Sequence, residues 1–157
     1  MKNYFSYQRI STKAERGLQK YTRQTKALEK YAQDHNIEYI YEAKEDKSGK
    51  NFEDRTEWQK LERLANENTV IVMKDISRFT REAEAGYKKY MELLEKGVEL
   101  IFIDNPTVST PYIKKLLDIA KAQNLVAKTS LESTVKLLLI VELDRICQER
   151  EILKLRK

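Results

Sequence analysis

The sequence predicts an α/β domain: a mainly parallel sheet of about four or five strands flanked by helices, followed by a long C-terminal helix. Three observations carry this. Short aromatic and β-branched segments alternate with amphipathic ones over the first two thirds of the chain, the order expected when strands and covering helices take turns. Residues 69–73, TVIVM, form a continuous aliphatic run of the kind that fills a strand buried on both faces. Asn36 and Gly97 stand where helical periodicity lapses, and both residue types end helices readily.

The elements follow in order. Residues 4–10, YFSYQRI, have the aromatic and β-branched content of a first strand. A charged loop over residues 12–17 leads to a helix over residues 19–35, with Tyr21, Leu28, Tyr31 and Ala32 at helical spacing. A second strand spans residues 37–43, and a polar loop over residues 44–52 holds Ser48 and Gly49. Asp54 followed by Glu57 has the spacing of a capping pair, opening a helix whose apolar stripe is Trp58, Leu61 and Leu64. That puts Arg55 in the first helical turn, facing the loop.

After the strand at 69–73 come Arg78 and Arg81, three residues apart, which any helical turn stacks on one side. Adjacent guanidiniums repel unless an anion or water lies between them, and a phosphate would serve. A helix over residues 84–96 turns Tyr87, Tyr90, Met91 and Leu94 inward, and residues 98–103 form the fourth strand. The rest reads as helical: residues 112–123, a break over 124–129, and a last helix capped by Ser130 or Ser133 running to residue 157. Its stripe is Val135, Leu138, Leu139, Leu143, Ile146 and Leu153, interrupted by Glu142.

Bulk properties exclude some classes of function. At 157 residues the chain fits one domain, divided here into residues 1–129 and the C-terminal helix at 130–157. One cysteine and one histidine leave no internal disulfide, no cysteine-rich zinc site and no histidine-based acid–base pair, so no metal or cofactor is expected. No segment is long and apolar enough for a bilayer span, and a reduced, cytoplasmic setting with no membrane partner is the expectation. The formal charge of +5 and pI near 9.1 suit a polyanionic partner without requiring one.

Chemistry-bearing residues gather at the strand ends. Arg9 and Ser11, two apart on an extended chain, project from the same face and put a guanidinium beside a hydroxyl. The run Asp46-Lys47-Ser48-Gly49 with Asp54-Arg55, and Ser77-Arg78-Phe79-Thr80-Arg81, each follow a segment that reads as a strand. In parallel sheets, binding groups collect beyond the carboxyl ends of strands, where all of these fall.

Tyr-x-Arg-x-Ser-Thr near the start, Asp-x-Ser-Gly followed by Asp-Arg, and Ser-Arg-x-x-Arg after an aliphatic strand resemble the catalytic domain of serine site-specific recombinases, the resolvase and invertase family. The resemblance covers residues 4 to about 105 and leans toward the large serine and transposon-associated members. It implies a DNA partner, with Ser11 as the nucleophile that cleaves and rejoins strands through a 5′-phosphoserine link. Arg9, Arg55, Arg78 and Arg81 match its phosphate-binding arginines, and Gln24, Ser77, Asp75 and Ser48 stand at supporting positions. It further implies a dimer in solution and a tetramer at synapsis.

The chain also departs from the small resolvases. Ser77 stands where they carry aspartate, Thr56 replaces a frequent proline, and the loop between Ser11 and Gln24 is longer. Residues 107–129 fit that pattern poorly, and no DNA-reading module follows the last helix, as expected for a catalytic domain cut from a longer protein. Two other readings stay open. Asp46, Asp54, Asp75 and Asp104 near strand ends would suit a magnesium-dependent nuclease or phosphotransfer domain, and the scaffold alone would suit a non-catalytic dimerisation module.

Overall fold

The structure, a computed structural model, describes residues 1–10, 21–46, 51–123 and 125–155, with side chains in the last helix described at 129–130 and 132–149. Strands β1 (Asn3–Ile10), β2 (Tyr39–Asp46), β3 (Thr69–Met73) and β4 (Glu99–Phe102) form one sheet in the order β2-β1-β3-β4. Every pairing is parallel, which settles the expected strand number at four among the described residues. The chain steps from β1 to β2 on one side and then to β3 on the other. The order therefore reverses between β1 and β3, where open parallel sheets form a crevice at their carboxyl ends.

Helix α1 (Thr22–His35) covers one face, packing Leu28 against Val70 and Val72. The opposite face carries α2 (Thr56–Leu64), α4 (Ala83–Glu95) and α6 (Leu125–Leu155), with α5 (Thr110–Lys121) beside β4. Here Phe5, Tyr7, Ile71, Met73, Leu100 and Phe102 from the sheet meet Trp58, Leu61, Tyr90, Leu93, Leu139 and Leu143. β3 is buried at every position, as its aliphatic run requires. α1 ends as expected, with Asn36 in the left-handed region at φ 53°.

β4 is an edge strand with two outward amides. Ser109 Oγ accepts from Phe102 N at 2.9 Å and Thr110 Oγ1 accepts from Leu100 N at 2.8 Å. Side-chain hydroxyls thus close an edge that would otherwise be open to strand addition. β2, the other edge, alternates buried Ala43 and Glu45 with exposed Glu42, Lys44 and Asp46, so charge faces outward there.

Several boundaries differ from the sequence reading, each for a physical reason. β2 runs on to Asp46 instead of yielding to a loop at residue 44, because pairing with β1 continues through Ile10 and Asp46. Asp54 is not a helix cap: it lies in the 3-10 turn Phe52–Asp54, and α2 starts after Arg55 with no side-chain cap of its own. Leu64 is exposed at the end of α2, and in α4 the buried positions are Gly86, Tyr90 and Leu93, with Leu94 only half-buried. Residues 125–129 are helical, not a break, so Ser130 and Ser133 lie inside α6 instead of capping it. Leu138 points outward with Leu137 and Val141 while Val135, Leu139 and Leu143 face the core. Among the described residues no helix is long and apolar enough to cross a membrane.

Candidate functional site

The site grows from a single helical turn. α3 (Ile76–Phe79) follows β3 at the crevice between β1 and β3, and four residues are too few to satisfy their own main-chain groups. Asp75 caps its N-terminus, accepting from Ser77 N at 2.9 Å and from the Ser77 hydroxyl. Asn105 Oδ1 accepts from Ile76 N at 2.9 Å. Phe79 anchors the turn in an aromatic cluster, with ring centroids 5.0 Å from Phe52, 5.7 Å from Trp58 and 5.7 Å from Phe102.

The carbonyls that α3 leaves at its C-terminal end are taken by arginines from elsewhere. Arg9, at the end of β1, donates from Nε to Arg78 O at 3.0 Å and from Nη2 to Ser77 O at 2.5 Å. Arg55 donates from Nη1 to Phe79 O at 2.6 Å and lies over the Phe52 ring, 4.4 Å from its centroid. Arg78 turns back to donate to Arg9 O at 2.8 Å and keeps Nε 3.8 Å from Asp75 Oδ2. Gln24 on α1 brackets the Arg9 main chain, accepting from its N–H and donating to its C=O at 3.0 Å each.

Buried charge among the described residues here is mainly positive. Among the described residues the buried charged side chains are Arg9 at 2% exposure, Arg55 at 1% and Glu45 at 2%: two guanidiniums to one carboxylate. Burial, and then the guanidiniums of Arg55, Arg81 and Arg78, push Arg9 down from its ordinary value to about 9. Burial likewise lowers Arg55, which Tyr7 and Glu45 partly oppose. An excess of buried positive charge is costly by itself, and an anion arriving at the crevice would relieve it.

The sequence-predicted residues divide accordingly. Arg9, Gln24, Arg55, Asp75, Ser77 and Arg78 come together around α3. Arg81 lies beyond α3, not on a shared helical face with Arg78, because Thr80 is already extended. It is half-buried and still close enough for its charge to bear on Arg9. Arg55 is fully buried at the N-cap position of α2, not a first-turn charge facing a loop. Ser77 turns its hydroxyl to Asp75 and offers its carbonyl to Arg9. Ser11 and Ser48 lie outside the described residues.

One residue at the site escaped the sequence reading. Glu45, near the end of β2, accepts from Trp58 N at 3.0 Å and Glu57 N at 3.3 Å, supplying from a neighbouring strand the cap that Asp54 does not. It also accepts from the Tyr7 hydroxyl at 3.4 Å. The signal was strand alternation: Glu45 is two residues after Ala43 and shares its buried face. As for the four aspartates of the metal-dependent reading, Asp75 caps α3, Asp104 pairs with Lys74 at 2.6 Å, and Asp46 and Asp54 end separate elements. Among the described residues no group of three or more histidine, cysteine or acidic side chains has metal-holding geometry.

The chain and its fold have counterparts among known proteins. A family model described as the N-terminal domain of resolvase matches residues 4–139. The N-terminal catalytic domain of TP901-1 integrase is similar in structure, with a TM-score of 0.59 at 15% identity, covering 98% of this chain and 99% of that one. A resolvase family site-specific recombinase from Streptococcus pneumoniae gives 0.55 at 18% identity, covering the whole of both chains. The C-terminal catalytic domain of ISC1926 TnpA, an IS607-like serine recombinase, gives 0.55 at 19% identity over 87% of this chain and 98% of that one. At these identities the structural likeness speaks for the fold. No curated protein matches the sequence significantly.

Proposed function

The chain belongs to the resolvase family, and on that premise we propose that it is the catalytic domain of a serine recombinase acting on DNA, with Ser11 as nucleophile. The single observation that carries the proposal is the meeting of Arg9, Arg55 and Arg78 around the one-turn α3, at the crevice where the strand order reverses.

In this reading the Ser11 hydroxyl loses its proton and attacks a DNA phosphorus. The 3′ oxygen leaves as a hydroxyl and the 5′ phosphate stays esterified to Ser11. The arginines stabilise the charge that builds on the phosphoryl oxygens in the five-coordinate transition state. Attack by a 3′-hydroxyl on the phosphoserine reverses the step, so strands reseal without an external energy source. Asp75, Gln24 and Ser77 act by holding the arginines' surroundings, and Ser48 takes a supporting place. The family resemblance further supports DNA as partner, a dimer that becomes a tetramer at synapsis, and a cytoplasmic setting.

Incubating the protein with DNA containing its recombination site and mapping any protein-linked 5′ end tests the proposal. The expected adduct is on Ser11 and is absent from Ser11→Ala, with EDTA making no difference. An adduct on another residue, or cleavage abolished by EDTA, would overturn it in favour of a different nucleophile or the metal-dependent reading.

A further inference from the structure

A trough of about 910 Å³ runs along β4 on the α1 side of the sheet, and its origin is the width of that sheet. Strands lie about 4.8 Å apart and a helix with its side chains is about 10 Å across, so one helix covers about two strands. α1 is held to β1 through Gln24 and to β3 through Leu28, which leaves β4 beyond its reach. Ile101 on β4 and Ile103 just after it are therefore only half-buried, and they form the floor. Tyr31 and His35 of α1 make the near wall, their rings stacked with centroids 3.9 Å apart and planes 23° from parallel. His35 Nδ1 fixes that stack by donating to Tyr31 O at 2.9 Å. The far wall is the chain after β4: the 3-10 turn Pro106–Val108 and the start of α5, where Tyr112 is about half exposed.

The lining is mostly apolar, and the charges at its rim sort themselves. Asp34 pairs with Lys30 at 2.9 Å and Asp104 with Lys74 at 2.6 Å, so each carboxylate already has its own lysine. Lys115 pairs with no carboxylate among the described residues, which leaves one cation over. Burial, and then Tyr4 and Glu99, raise Tyr31, so its phenol adds no negative charge to the wall at neutral pH. An extended peptide gains little here, because the outward amides of Leu100 and Phe102 are already taken by the Thr110 and Ser109 hydroxyls. What remains is recognition through faces and one charge.

We propose that this trough is a binding site for a flat aromatic ligand carrying one negative charge, its rings between the Tyr31–His35 stack and Tyr112 and its anionic group at Lys115. The volume lies within the range of small-molecule pockets, and aliphatic floor with aromatic walls is the lining such rings prefer. The site stands apart from the arginine crevice and does not depend on the chemistry proposed there.

The probe is anilinonaphthalene sulfonate, an aromatic monoanion, compared by fluorescence titration and calorimetry with phenylnaphthylamine, which has the same rings and no charge. One-to-one binding of the sulfonate is expected, unmoved by excess inorganic phosphate. Ala27→Trp fills the trough from α1 without removing a core side chain and should abolish binding of both dyes. Lys115→Glu should weaken the sulfonate about fivefold and leave the neutral dye unchanged, as an exposed charge contact would. Should Ala27→Trp fail to fold, Tyr112→Ala removes one wall and should weaken both dyes. Binding unchanged in Ala27→Trp or Tyr112→Ala, or lost instead in Leu138→Glu on the exposed face of α6, would overturn the site. Displacement of the sulfonate by phosphate would place it in the arginine crevice and overturn it equally. An equal loss of both dyes in Lys115→Glu would overturn the role of the charge.

Discussion

The guanidiniums of Arg9 and Arg78 each donate to the other residue's main-chain carbonyl, Arg9 Nε to Arg78 O at 3.0 Å and Arg78 Nη1 to Arg9 O at 2.8 Å. This reciprocal clasp ties the end of β1 to the turn after β3 and lets two cations lie close together by giving each a neutral acceptor. A lysine can reach one carbonyl but cannot hold the forked geometry. Arg9→Lys is expected to cost about 1–3 kcal/mol in urea unfolding, since it leaves buried carbonyls unpaired. Adding Arg78→Lys should cost less than the sum of the two single changes, because both break the same clasp. Strict additivity would show that the two contacts act independently.

The charge on Arg9 sets a pH limit on anion binding. Its folded value is about 9, well below the ordinary arginine range, so the charged form is present at pH 7 and is lost as pH rises through about 9. Sulfate keeps one charge state throughout that range, which makes it the cleaner probe. Affinity measured by calorimetry is expected to be flat from pH 7 to 8 and to fall above about 9 in the wild type. In Arg9→Leu it should be weaker from the start and lack that fall. The same depression works the other way on stability: above about 9, until the unfolded arginine also titrates, the unfolded chain binds more protons, so the Arg9 contribution favours folding more as pH rises. A wild-type sulfate profile that stays flat to pH 10.5 would show that Arg9 keeps its proton.

Gly86 explains how the segment bearing Arg81 is held. A Cβ there would overlap the Thr80 Cγ2 methyl and stand 2.7 Å from its Cβ, so α4 can pass this close only without a side chain. Thr80 cannot retreat easily. It is buried, and its hydroxyl donates to Glu82 O at 2.6 Å while accepting from Glu82 N at 3.1 Å. Alanine would gain about 1 kcal/mol of helix propensity over glycine, but overpacking against a fixed β-branched neighbour costs about 1–3 kcal/mol. Gly86→Ala is therefore expected to be net destabilising and to weaken phosphate binding by displacing Arg81. Thr80→Ser, which removes the methyl and keeps the hydroxyl, should recover part of both. A Gly86→Ala protein as stable as wild type would mean that α4 shifts freely.

Strands and their alternation with helices along the chain were legible because their signals are local. The run at 69–73 had to be buried on both faces, and Asn36 had to end a helix. What the sequence could not reveal was which distant group answers which. Asp54 and Glu57 have capping spacing, yet the cap comes from Glu45, since pairing through Ile10 and Asp46 carries β2 far enough to bring a carboxylate to the α2 amides. Arg78 and Arg81 do not stack on one helical turn as their spacing suggested: α3 stops at Phe79, so Arg78 lies on the turn and Arg81 on the segment beyond the extended Thr80. Arg55 read as a first-turn residue facing the loop because nothing local to it shows that the Phe52 ring and Phe79 O close around it.

The last helix is where apolar periodicity misassigned a face, and it offers the sharpest contrast between neighbouring residues. Leu139 and Leu143 are buried against the sheet-facing core at 1% and 0% exposure, whereas Leu138 stands 56% exposed beside Leu137 and Val141. Leu139→Ala removes a packed side chain and leaves a cavity, which should cost about 2–5 kcal/mol. Leu138→Ala removes surface methyls and should stay within about 0.5 kcal/mol of wild type. Urea unfolding at two protein concentrations a hundredfold apart measures both. A large cost at Leu138 independent of concentration would mean that α6 is rotated from the orientation described. A cost appearing only at the higher concentration would mean that a second copy covers this face, and the Leu139 value would then report the monomer alone.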